Sequence, residues 1–419
     1  MGGAFHDILR RDADAIAART GVHLEVARVA VRSTTRERSV AVDPELLTSD
    51  AASVVADPSI DVVVEVIGGI EPARTLILAA LKGGKPVVTA NKELIANVGH
   101  ELFEAASTAG VDLLFEAAVA GGIPLIRPLR ESLAGERILR VTGIVNGTTN
   151  FILTRMTEQG ATYADALAEA QQLGYAERDP TADVEGFDAG AKAAILATIA
   201  FGARVVAGDV YREGISGISA ADIAYAGRLG YVVKLLAVAE RFDAGDIGVR
   251  VHPAMVPATH PLASVRDSFN AVFIEGEAVG ELMLYGRGAG GMPTASAVIG
   301  DLIDAAHNLR TGSVGRSPQP GPARLRSIDD LTSAYYLDLE VLDRPGVLAQ
   351  VAGVLGRHQV SIRSMEQDEL AAGPGPGGAA RLVFITHSAR ERDVQACLHE
   401  LRSLTVVARI GTLLRVLGA

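Results

Sequence analysis

Short runs of β-branched residues alternate with apolar helical segments early in the chain, and this alternation restricts the possible folds most strongly. The run DVVVEVIGG (61–69) ends in a glycine pair and is followed by EPARTLILAALKGG, a predicted helix. VVTANKEL then predicts another strand and a helix start, and VDLLFEAAV predicts a further strand. Continuous apolar strands connected by helices are typical of a buried parallel sheet. We therefore predict an α/β fold with a doubly wound parallel sheet over residues 1–122.

The pattern changes after residue 122. Residues 123–310 combine helical segments, predicted near 161–173, 186–203 and 228–241, with strand-like segments further along. This mixture predicts a separate α+β domain. The last helix, at 292–310, follows a glycine-rich turn, and we expect it to pack back on the first domain.

The C-terminal part is predicted to form a third domain. Residues 311–332 are rich in proline, glycine, serine and arginine, a composition typical of a linker. Residues 333–419 follow the order β-α-β-β-α-β of a ferredoxin-like domain, with a flexible loop predicted at 371–380.

The composition excludes several classes of function. The chain has 39 basic and 50 acidic residues, a formal net charge of −11, and no tryptophan. An acidic chain poor in aromatic residues is unsuited to binding nucleic acid. Its one cysteine, Cys397, rules out an internal disulfide, and no apolar run reaches the roughly 18 residues of a membrane span. We therefore expect a cytoplasmic protein that binds neither nucleic acid nor membranes.

A doubly wound sheet suggests a dinucleotide site, but the expected fingerprint is missing. A strand and a G-x-G-x-x-G turn should precede the first helix, whereas Gly2 and Gly3 lead directly into it. Either that strand lies upstream of Met1 or no dinucleotide site exists. We favour the first alternative because the next strand, HLEVARVAVRS (23–33), carries at its end a residue type that a dinucleotide-binding fold uses there. Arg32 at its end suits the 2′-phosphate of NADP, although NAD is also possible.

Glycines and a lysine mark the predicted ligand edge of the sheet. Gly68 and Gly69 follow a buried strand, where they allow close approach of a ligand or form a plain tight turn. Gly290 and Gly291 open a helix and could face a pyrophosphate, with close helix packing as the alternative. Lys92 lies at a strand end on the same edge, and we expect it to contact cofactor or substrate.

Lysine is rare in this chain, with five lysines against 34 arginines. Arginine stays protonated, whereas lysine can exchange a proton, so the remaining lysines are candidates for proton transfer. Lys192 starts an almost wholly apolar helix and lies four residues after Asp188, on the same helix face. A surface ion pair is the alternative, but the apolar helix predicts partial burial. Lys192 is therefore our candidate proton donor.

Two further turns carry polar groups. VNGTTN (145–150) offers Asn146 and Thr148 for binding substrate, although one such residue could simply cap the next helix. EAAVAGGIP (116–124) places Glu116 and several carbonyl groups in a glycine-rich turn. Such oxygen-rich turns suit a hard cation, and a helix N-terminus is the alternative.

Read in order, these segments resemble a known family. The chain resembles homoserine dehydrogenase over nearly its whole length. The segments that carry the resemblance are VIGGIEPAR, VVTANKEL, LFEAAVAGGIPLIRPLRESLAG, VNGTTNFILTRM, LGYAERDPTADVEGFDAGAKAAILA and YGRGAGGMPTASAVIGD. The segment DRPGVLAQVAGVLGRHQVSIRSMEQ resembles an ACT domain, an amino-acid-sensing module. The resemblance implies a Rossmann-type NAD(P)-binding domain at 1–122, a catalytic and dimerisation domain at 123–310 and an ACT domain at 333–419.

The resemblance also implies an activity. This is the reversible reduction of L-aspartate 4-semialdehyde to L-homoserine by NAD(P)H, on the route to threonine, methionine and isoleucine. It makes Lys192 the proton donor and Lys92 a second lysine near substrate and cofactor. The other implied contacts are Glu177, Asp183 and Asp188 for the substrate; Gly174, Glu177 and Gly291 for the cofactor; and Glu116 with the carbonyl groups of Val119, Gly121 and Ile123 for a monovalent cation, sodium.

The missing first strand departs from the family pattern. Its loss would expose unpaired backbone and remove the pyrophosphate cradle, so we expect the chain as printed to bind the cofactor poorly. We favour a start codon assigned too late over a damaged paralogue, and a non-catalytic amino-acid-binding regulator is the alternative function. The resemblance further implies an amino-acid effector, L-threonine, and a homodimer or homotetramer.

Overall fold

A computed structural model describes residues 1–38, 40–315, 318–370 and 378–418. Most of the loop predicted at 371–380 therefore lies outside the described residues. Within them the predicted fold class is confirmed, because a parallel sheet near the N-terminus precedes a larger mixed sheet. No helix in these ranges is both long enough and apolar enough to cross a bilayer.

The first unit (residues 1–122) is built on short parallel strands. Its helices are α1 (Gly2–Thr20), α2 (Ala51–Ala56), α3 (Ala73–Lys82) and α4 (Lys92–Ala109), and its strands are β1 (Val29–Ala30), β2 (Leu47–Thr48), β3 (Val63–Glu65), β4 (Val87–Thr89) and β5 (Leu113–Leu114). Strands β3, β4 and β5 pair in parallel in that order, and β1 pairs in parallel with β2. The strand predicted at 23–33 is shorter than expected, since β1 has two residues.

The second unit (residues 123–310) mixes helices with long antiparallel strands. Its helices are α5 (Ile126–Arg130), α6 (Gly147–Gln159), α7 (Tyr163–Gln172), α8 (Thr181–Val184), α9 (Phe187–Phe201), α10 (Ala220–Arg228) and α11 (Gly291–Thr311). Its strands are β6 (Ile138–Ile144), β7 (Ala203–Arg204), β8 (Tyr211–Arg212), β9 (Tyr231–Arg241), β10 (Ile247–Pro257), β11 (Phe269–Gly276) and β12 (Gly280–Arg287).

A linker and a C-terminal unit (residues 332–418) complete the chain. The linker contains β13 (Gly321–Pro322), which pairs with β7. The C-terminal unit contains β14 (Thr332–Leu342), α12 (Val347–Arg357), β15 (Ile362–Leu370), β16 (Ala379–Thr386), β17 (Ala389–Arg390), α13 (Glu391–Ser403) and β18 (Val407–Val416). Its sheet has the order β18-β14-β16-β15, and the predicted ferredoxin-like order of elements is confirmed.

The second and C-terminal units share one sheet. Its strand order is β12-β11-β6-β9-β10-β18-β14-β16-β15, with β8 beside β10 and β17 beside β14. The junction is a parallel pairing in which Ala254 lies opposite Arg415 and Met255 opposite Val416. The amide of Leu417 extends it by donating to the Met255 carbonyl at 2.9 Å. The C-terminal unit is therefore continuous with the second unit through backbone hydrogen bonds.

Helix α9 joins the first and second units. It starts after Gly186 and ends before Gly202, glycines whose φ angles of 78° and 62° lie in the left-handed region. Its small apolar residues pack against α4 on one side and β9 and β10 on the other. Helix α11 packs on α1 through a cluster that includes Leu9, Ile16 and Val298. These contacts place the ligand edge of the first sheet beside the start of α9.

The helix predicted at 228–241 is wrong, because residues Tyr231–Arg241 form strand β9 at the centre of the large sheet. A strand buried on both faces is as continuously apolar as a buried helix, so periodicity could not separate them. Lys234 lies within it and is 2% exposed. Its ammonium group donates to Asn150 Oδ1 (3.0 Å) and to the Val265 carbonyl (2.5 Å), and does not extend to solvent.

We expect Lys234 to give the stability a specific pH dependence. Burial lowers its pKa from 10.5 to about 8, so between these values the folded state binds fewer protons than the unfolded state. The free energy of unfolding should therefore rise with pH across that window, by about 3 kcal/mol in all. Denaturant unfolding of Lys234→Met should lack this rise, whereas the exposed control Lys82→Met should keep it. Parallel curves for Lys234→Met and the unsubstituted chain would contradict the prediction.

Candidate active site

Buried polar side chains shape the carboxyl edge of the first sheet. Glu65, at the end of β3, accepts hydrogen bonds from the amide of Gly68 (3.1 Å) and from Thr89 Oγ1 (2.5 Å). Asn91 donates to the Gly69 carbonyl (2.6 Å) and its side-chain oxygen caps α4. Gly68 and Gly69 have φ angles of 81° and 72°, which favour glycine. This network fixes the loop after β3 against the start of α4.

Asp188 lies between the two lysines that the sequence singles out. It pairs with Lys92 through Oδ1, and its Oδ2 lies 2.7 Å from Lys192 Nζ. Lys192 also donates to the Val145 carbonyl at 2.7 Å. The Lys192 side chain is 10% exposed, whereas that of Lys92 is 46% exposed. Because Lys92 starts α4 and Lys192 lies in α9, this carboxylate connects the first unit to the second.

The charges of this group reinforce one another. Burial alone would raise the pKa of Asp188, but Lys192 and Lys92 outweigh it and hold that pKa well below its usual range. Burial alone would lower the pKa of Lys92, but the charge and hydrogen bond of Asp188 raise it. Asp188 is therefore an anion and Lys92 a cation throughout the physiological pH range.

Asn146 connects this group to a second carboxylate. Its amide donates to Asp183 Oδ1 (2.7 Å) and to Asp188 Oδ2 (2.8 Å), while its oxygen caps α6 by accepting from the Thr149 amide. Burial, and then the nearby Asp188, raise the pKa of Asp183. Thr148 donates to the Tyr175 carbonyl at 2.7 Å and so fixes the loop before α8. One asparagine side chain thus caps α6 and also connects the two carboxylates.

Two residues expected to contact the cofactor, one of them also expected to bind substrate, lie on an exposed loop. Gly174 has a φ of 76° and follows α7 directly. The Glu177 side chain is exposed and makes no hydrogen bond or ion pair within the described ranges. The structure therefore brings Lys92, Lys192, Asp188, Asp183 and Asn146 together and leaves Glu177 outside that cluster.

Gly291, one of the residues expected to hold a dinucleotide, lies beside the start of α1. A Cβ built on Gly2 would lie 3.5 Å from Val66, and one on Gly291 would lie 3.5 Å from Ala4. The N-terminal turns of α1 and α11 therefore meet beside the end of β3, and neither has a side-chain cap. Uncapped amides of this kind fit a pyrophosphate. Arg32 is exposed just after β1.

The turn at 116–124 leaves carbonyl groups without hydrogen bonds. The Glu116 carboxylate accepts three backbone hydrogen bonds, from residues 125 to 127. The carbonyl oxygens of Val119, Gly121 and Ile123 accept none within the described residues, although all three residues are buried. Buried carbonyl groups need a partner, so this donor set fits a monovalent cation. No group of three or more His, Cys, Asp or Glu side chains in the described chain is arranged to hold a metal.

Sequence reasoning missed Glu65, Thr89 and Asn91. They do not match a ligand motif, and the available signal was a polar side chain at the end of an otherwise apolar strand. Gly288 was missed as a close contact: a Cβ there would lie 1.9 Å from Asn270, and Gly121 packs directly against its carbonyl. This contact holds the turn at 116–124 against the loop before α11.

Family models match three parts of the chain. The model described as homoserine dehydrogenase matches residues 124–303, and the one described as its NAD-binding domain matches residues 1–116. The ACT domain model matches residues 335–405.

Named relatives match along nearly the whole length. Homoserine dehydrogenase of Corynebacterium glutamicum is 52% identical over 410 residues, covering 96% of this chain and 90% of the relative. That of Mycobacterium tuberculosis is 50% identical over 423 residues, covering 100% and 96%. A solved homoserine dehydrogenase from Thiobacillus denitrificans superposes with a TM-score of 0.92 at 42% identity, covering 99% and 95%. A hyperthermophilic archaeal homoserine dehydrogenase solved in complex with NADPH gives 0.61 at 32% identity, covering 74% and 95%.

Proposed function

The chain belongs to the homoserine dehydrogenase family of oxidoreductases, and we propose that it reversibly reduces L-aspartate 4-semialdehyde to L-homoserine. The observation that carries the proposal is Asp188 between Lys92 and Lys192, where the first and second units meet. An aldehyde that accepts hydride becomes an alkoxide, which needs a positive charge and a proton beside it. Lysine supplies both, whereas arginine could supply only the charge.

We assign the proton transfer to Lys192. The Val145 carbonyl and Asp188 fix its ammonium group from two directions. The remaining N–H is therefore free to donate to the carbonyl oxygen of the substrate aldehyde. A nicotinamide cofactor bound here would supply the hydride. Lys92, which is more exposed and held as a cation by Asp188, would contact substrate and cofactor.

Two carboxylates, Asp183 and Asp188, could accept the substrate's ammonium group. Asp188 is already paired with two lysines, whereas Asp183 has Asn146 as its partner and retains acceptor capacity. We therefore propose Asp183 as the main ammonium acceptor. Asp188 then acts mainly on the lysines, and the exposed Glu177 contributes a further acceptor from its loop. Thr148 and Asn146 complete the substrate pocket.

For the cofactor we propose NADP, with NAD as the alternative. The relative solved with NADPH supports this choice, as does Arg32 after β1. Gly68, Gly69, Gly174, Gly290 and Gly291 would line the cofactor, together with Glu177 and Lys92. Sodium would be held by Glu116 and the carbonyl groups of Val119, Gly121 and Ile123.

The remaining proposals concern regulation and assembly. We propose feedback by an amino acid, L-threonine, at the ACT domain, because a complete ferredoxin-like unit shares the sheet of the second unit. The place of the reaction would be threonine, methionine and isoleucine biosynthesis in the cytoplasm. The assembly would be a homodimer or homotetramer, and the working domains would be 1–122, 123–310 and 333–419.

One assay series tests this set. Purified chain is mixed with L-homoserine and NADP⁺ or NAD⁺, and formation of reduced nicotinamide is followed, with L-serine as the control substrate. Turnover of homoserine alone is expected when the cofactor is supplied at saturating concentration. Further arms replace sodium by tetramethylammonium, add L-threonine, and measure the mass in solution. Absence of turnover with both cofactors would contradict the proposed activity.

Arg32→Ala tests the cofactor preference. Removing a guanidinium that faces the 2′-phosphate should raise the KM for NADPH about tenfold, which corresponds to about 1.4 kcal/mol, and should leave the KM for NADH unchanged. Arg28→Ala is the matched control, since Arg28 is also exposed and directly precedes β1, whereas Arg32 follows it. Equal changes in both KM values, or none, would contradict the assignment.

A further inference from the structure

Arg415, near the end of β18, is buried where the second and C-terminal units meet. It is 3% exposed, and its guanidinium lies against two carboxylates. Nη1 lies 2.9 Å from Glu213 Oε1, and Nη2 lies 2.7 Å from Glu391 Oε2. Removing one partner of a buried ion pair leaves an uncompensated charge, so Glu391, which is 2% exposed, is held most firmly; the Glu213 side chain is 27% exposed.

The two carboxylates belong to different units. Glu391 starts α13 of the C-terminal unit and also accepts a hydrogen bond from the Tyr335 hydroxyl (2.8 Å). Glu213 follows β8 of the second unit, accepts from the Tyr211 hydroxyl (2.5 Å), and donates its amide to the Val251 carbonyl (2.8 Å). Arg415 therefore connects the C-terminal unit to the segment that follows β8.

Residues 211–216, which comprise β8 and the segment after it, lie directly against the turn before α9. The Ile215 amide donates to the Val184 carbonyl (2.8 Å), and Ser216 Oγ donates to Glu185 Oε1 (2.7 Å). A Cβ built on Gly214 would lie 2.5 Å from the Val184 carbonyl oxygen. Contacts this close allow little movement of one segment without the other.

The turn carries the residues proposed to bind substrate. Asp183 immediately precedes Val184, and Asp188 lies in the first turn of α9. The guanidinium carbon of Arg212 also lies 4.7 Å from the ring centre of Phe187, at the start of the same helix. Arg415 pairs with Glu213, and two residues later the Ile215 amide bonds to Val184. Val184 directly follows Asp183 in the chain, so two contacts connect Arg415 to this part of the site.

We propose that Arg415 is a positioning residue for the active site, acting through Glu213 and residues 211–216 on the turn 183–188. The C-terminal unit thereby holds in place Asp183 and Asp188 of its own chain, the carboxylates proposed to lie at the substrate. A change in how that unit sits against β10 would reach Asp183 by this route, since the contacts are continuous. The kinetic readout rests on the proposed function, whereas the positioning itself does not.

The test compares two links between the same units. Arg415→Met and Glu213→Gln break the proposed link. Arg228→Gln is the matched control: Arg228 also bridges the units, through Asp368 (3.0 Å), but it is exposed and does not contact residues 211–216. Hydrogen exchange of the Ile215 amide in the full chain is measured by mass spectrometry, along with kcat and KM for L-homoserine and NADP⁺.

Arg415→Met and Glu213→Gln should exchange the Ile215 amide about tenfold faster and raise the KM for homoserine about fivefold, with kcat and the KM for NADP⁺ within about twofold. Arg228→Gln should match the unsubstituted chain, and Arg415→Lys should be intermediate because its ammonium can serve one carboxylate well. Unchanged exchange in both test variants, or equal changes in Arg228→Gln, would overturn the proposal.

Two safeguards keep the result decisive. If Arg415→Met does not fold, the isosteric Glu213→Gln decides alone. If the unsubstituted chain does not oxidise homoserine, the proposed function fails, whereas the exchange measurement still decides the positioning role because it needs no turnover.

Discussion

Replacing Lys192 by alanine should reduce kcat for homoserine oxidation by about 10³-fold, with a much smaller change in KM. A drop of this size corresponds to about 4 kcal/mol of transition-state stabilisation. The physical reason is that the ammonium group both stabilises the developing alkoxide and exchanges its proton. Lys192 is 8% exposed, and Val145 and Asp188 fix its ammonium group in one position.

Lys192→Arg separates the two roles. Arginine keeps the positive charge but does not exchange a proton, so kcat should remain low. Lys82→Ala is the control, since Lys82 is an exposed lysine at the end of α3. A kcat within about tenfold of the unsubstituted chain for Lys192→Ala would remove it as proton donor, because tenfold is only about 1.4 kcal/mol.

Asp188→Asn is the second substitution with a large expected effect. The change keeps the shape of the side chain but leaves two ammonium groups beside a neutral amide, so they repel one another. It also removes the interaction that raises the pKa of Lys92. We expect kcat to fall about 10²-fold. Steady-state kinetics with L-homoserine and NADP⁺ measure this fall.

Asp183→Asn is the matched control for this effect. Asp183 shares the Asn146 amide with Asp188 but pairs with neither lysine in the structure. Its replacement should raise the KM for homoserine about tenfold or more, with a smaller effect on kcat. A kcat loss in Asp183→Asn equal to that in Asp188→Asn would contradict the division of roles.

Several parts of the fold could be predicted from local pattern. Apolar strands closed by glycine, such as 61–69, predicted the parallel sheet, because buried parallel strands leave a continuous apolar signal. The order of elements in the C-terminal unit was equally readable. The helix predicted at 228–241 failed for the same reason that the sheet prediction succeeded, since a buried strand and a buried helix are both continuously apolar.

The site could be predicted in part. The rarity of lysine and the apolar helix after Lys192 singled out a buried lysine near carboxylates, and the structure places Lys192 against Asp188. The i, i+4 spacing could not show that Asp188 also pairs with Lys92, nearly 100 residues away in the chain. Neither could it show that Asn146 connects Asp183 with Asp188, nor that Glu177 stays on an exposed loop.

The sequence by itself determined most of the elements and the residue types available for proton transfer, because the spacing of apolar residues is a local property; it could not distinguish helix from strand at Tyr231–Arg241. Tertiary structure alone decided how charges are shared. Asp188 serves two lysines from different units, Lys234 is enclosed in a strand, and Arg415 connects the C-terminal unit to the turn before α9. Electrostatic and hydrogen-bond partners depend on distances of about 3 Å between segments far apart in sequence, and such distances are set only when the segments pack.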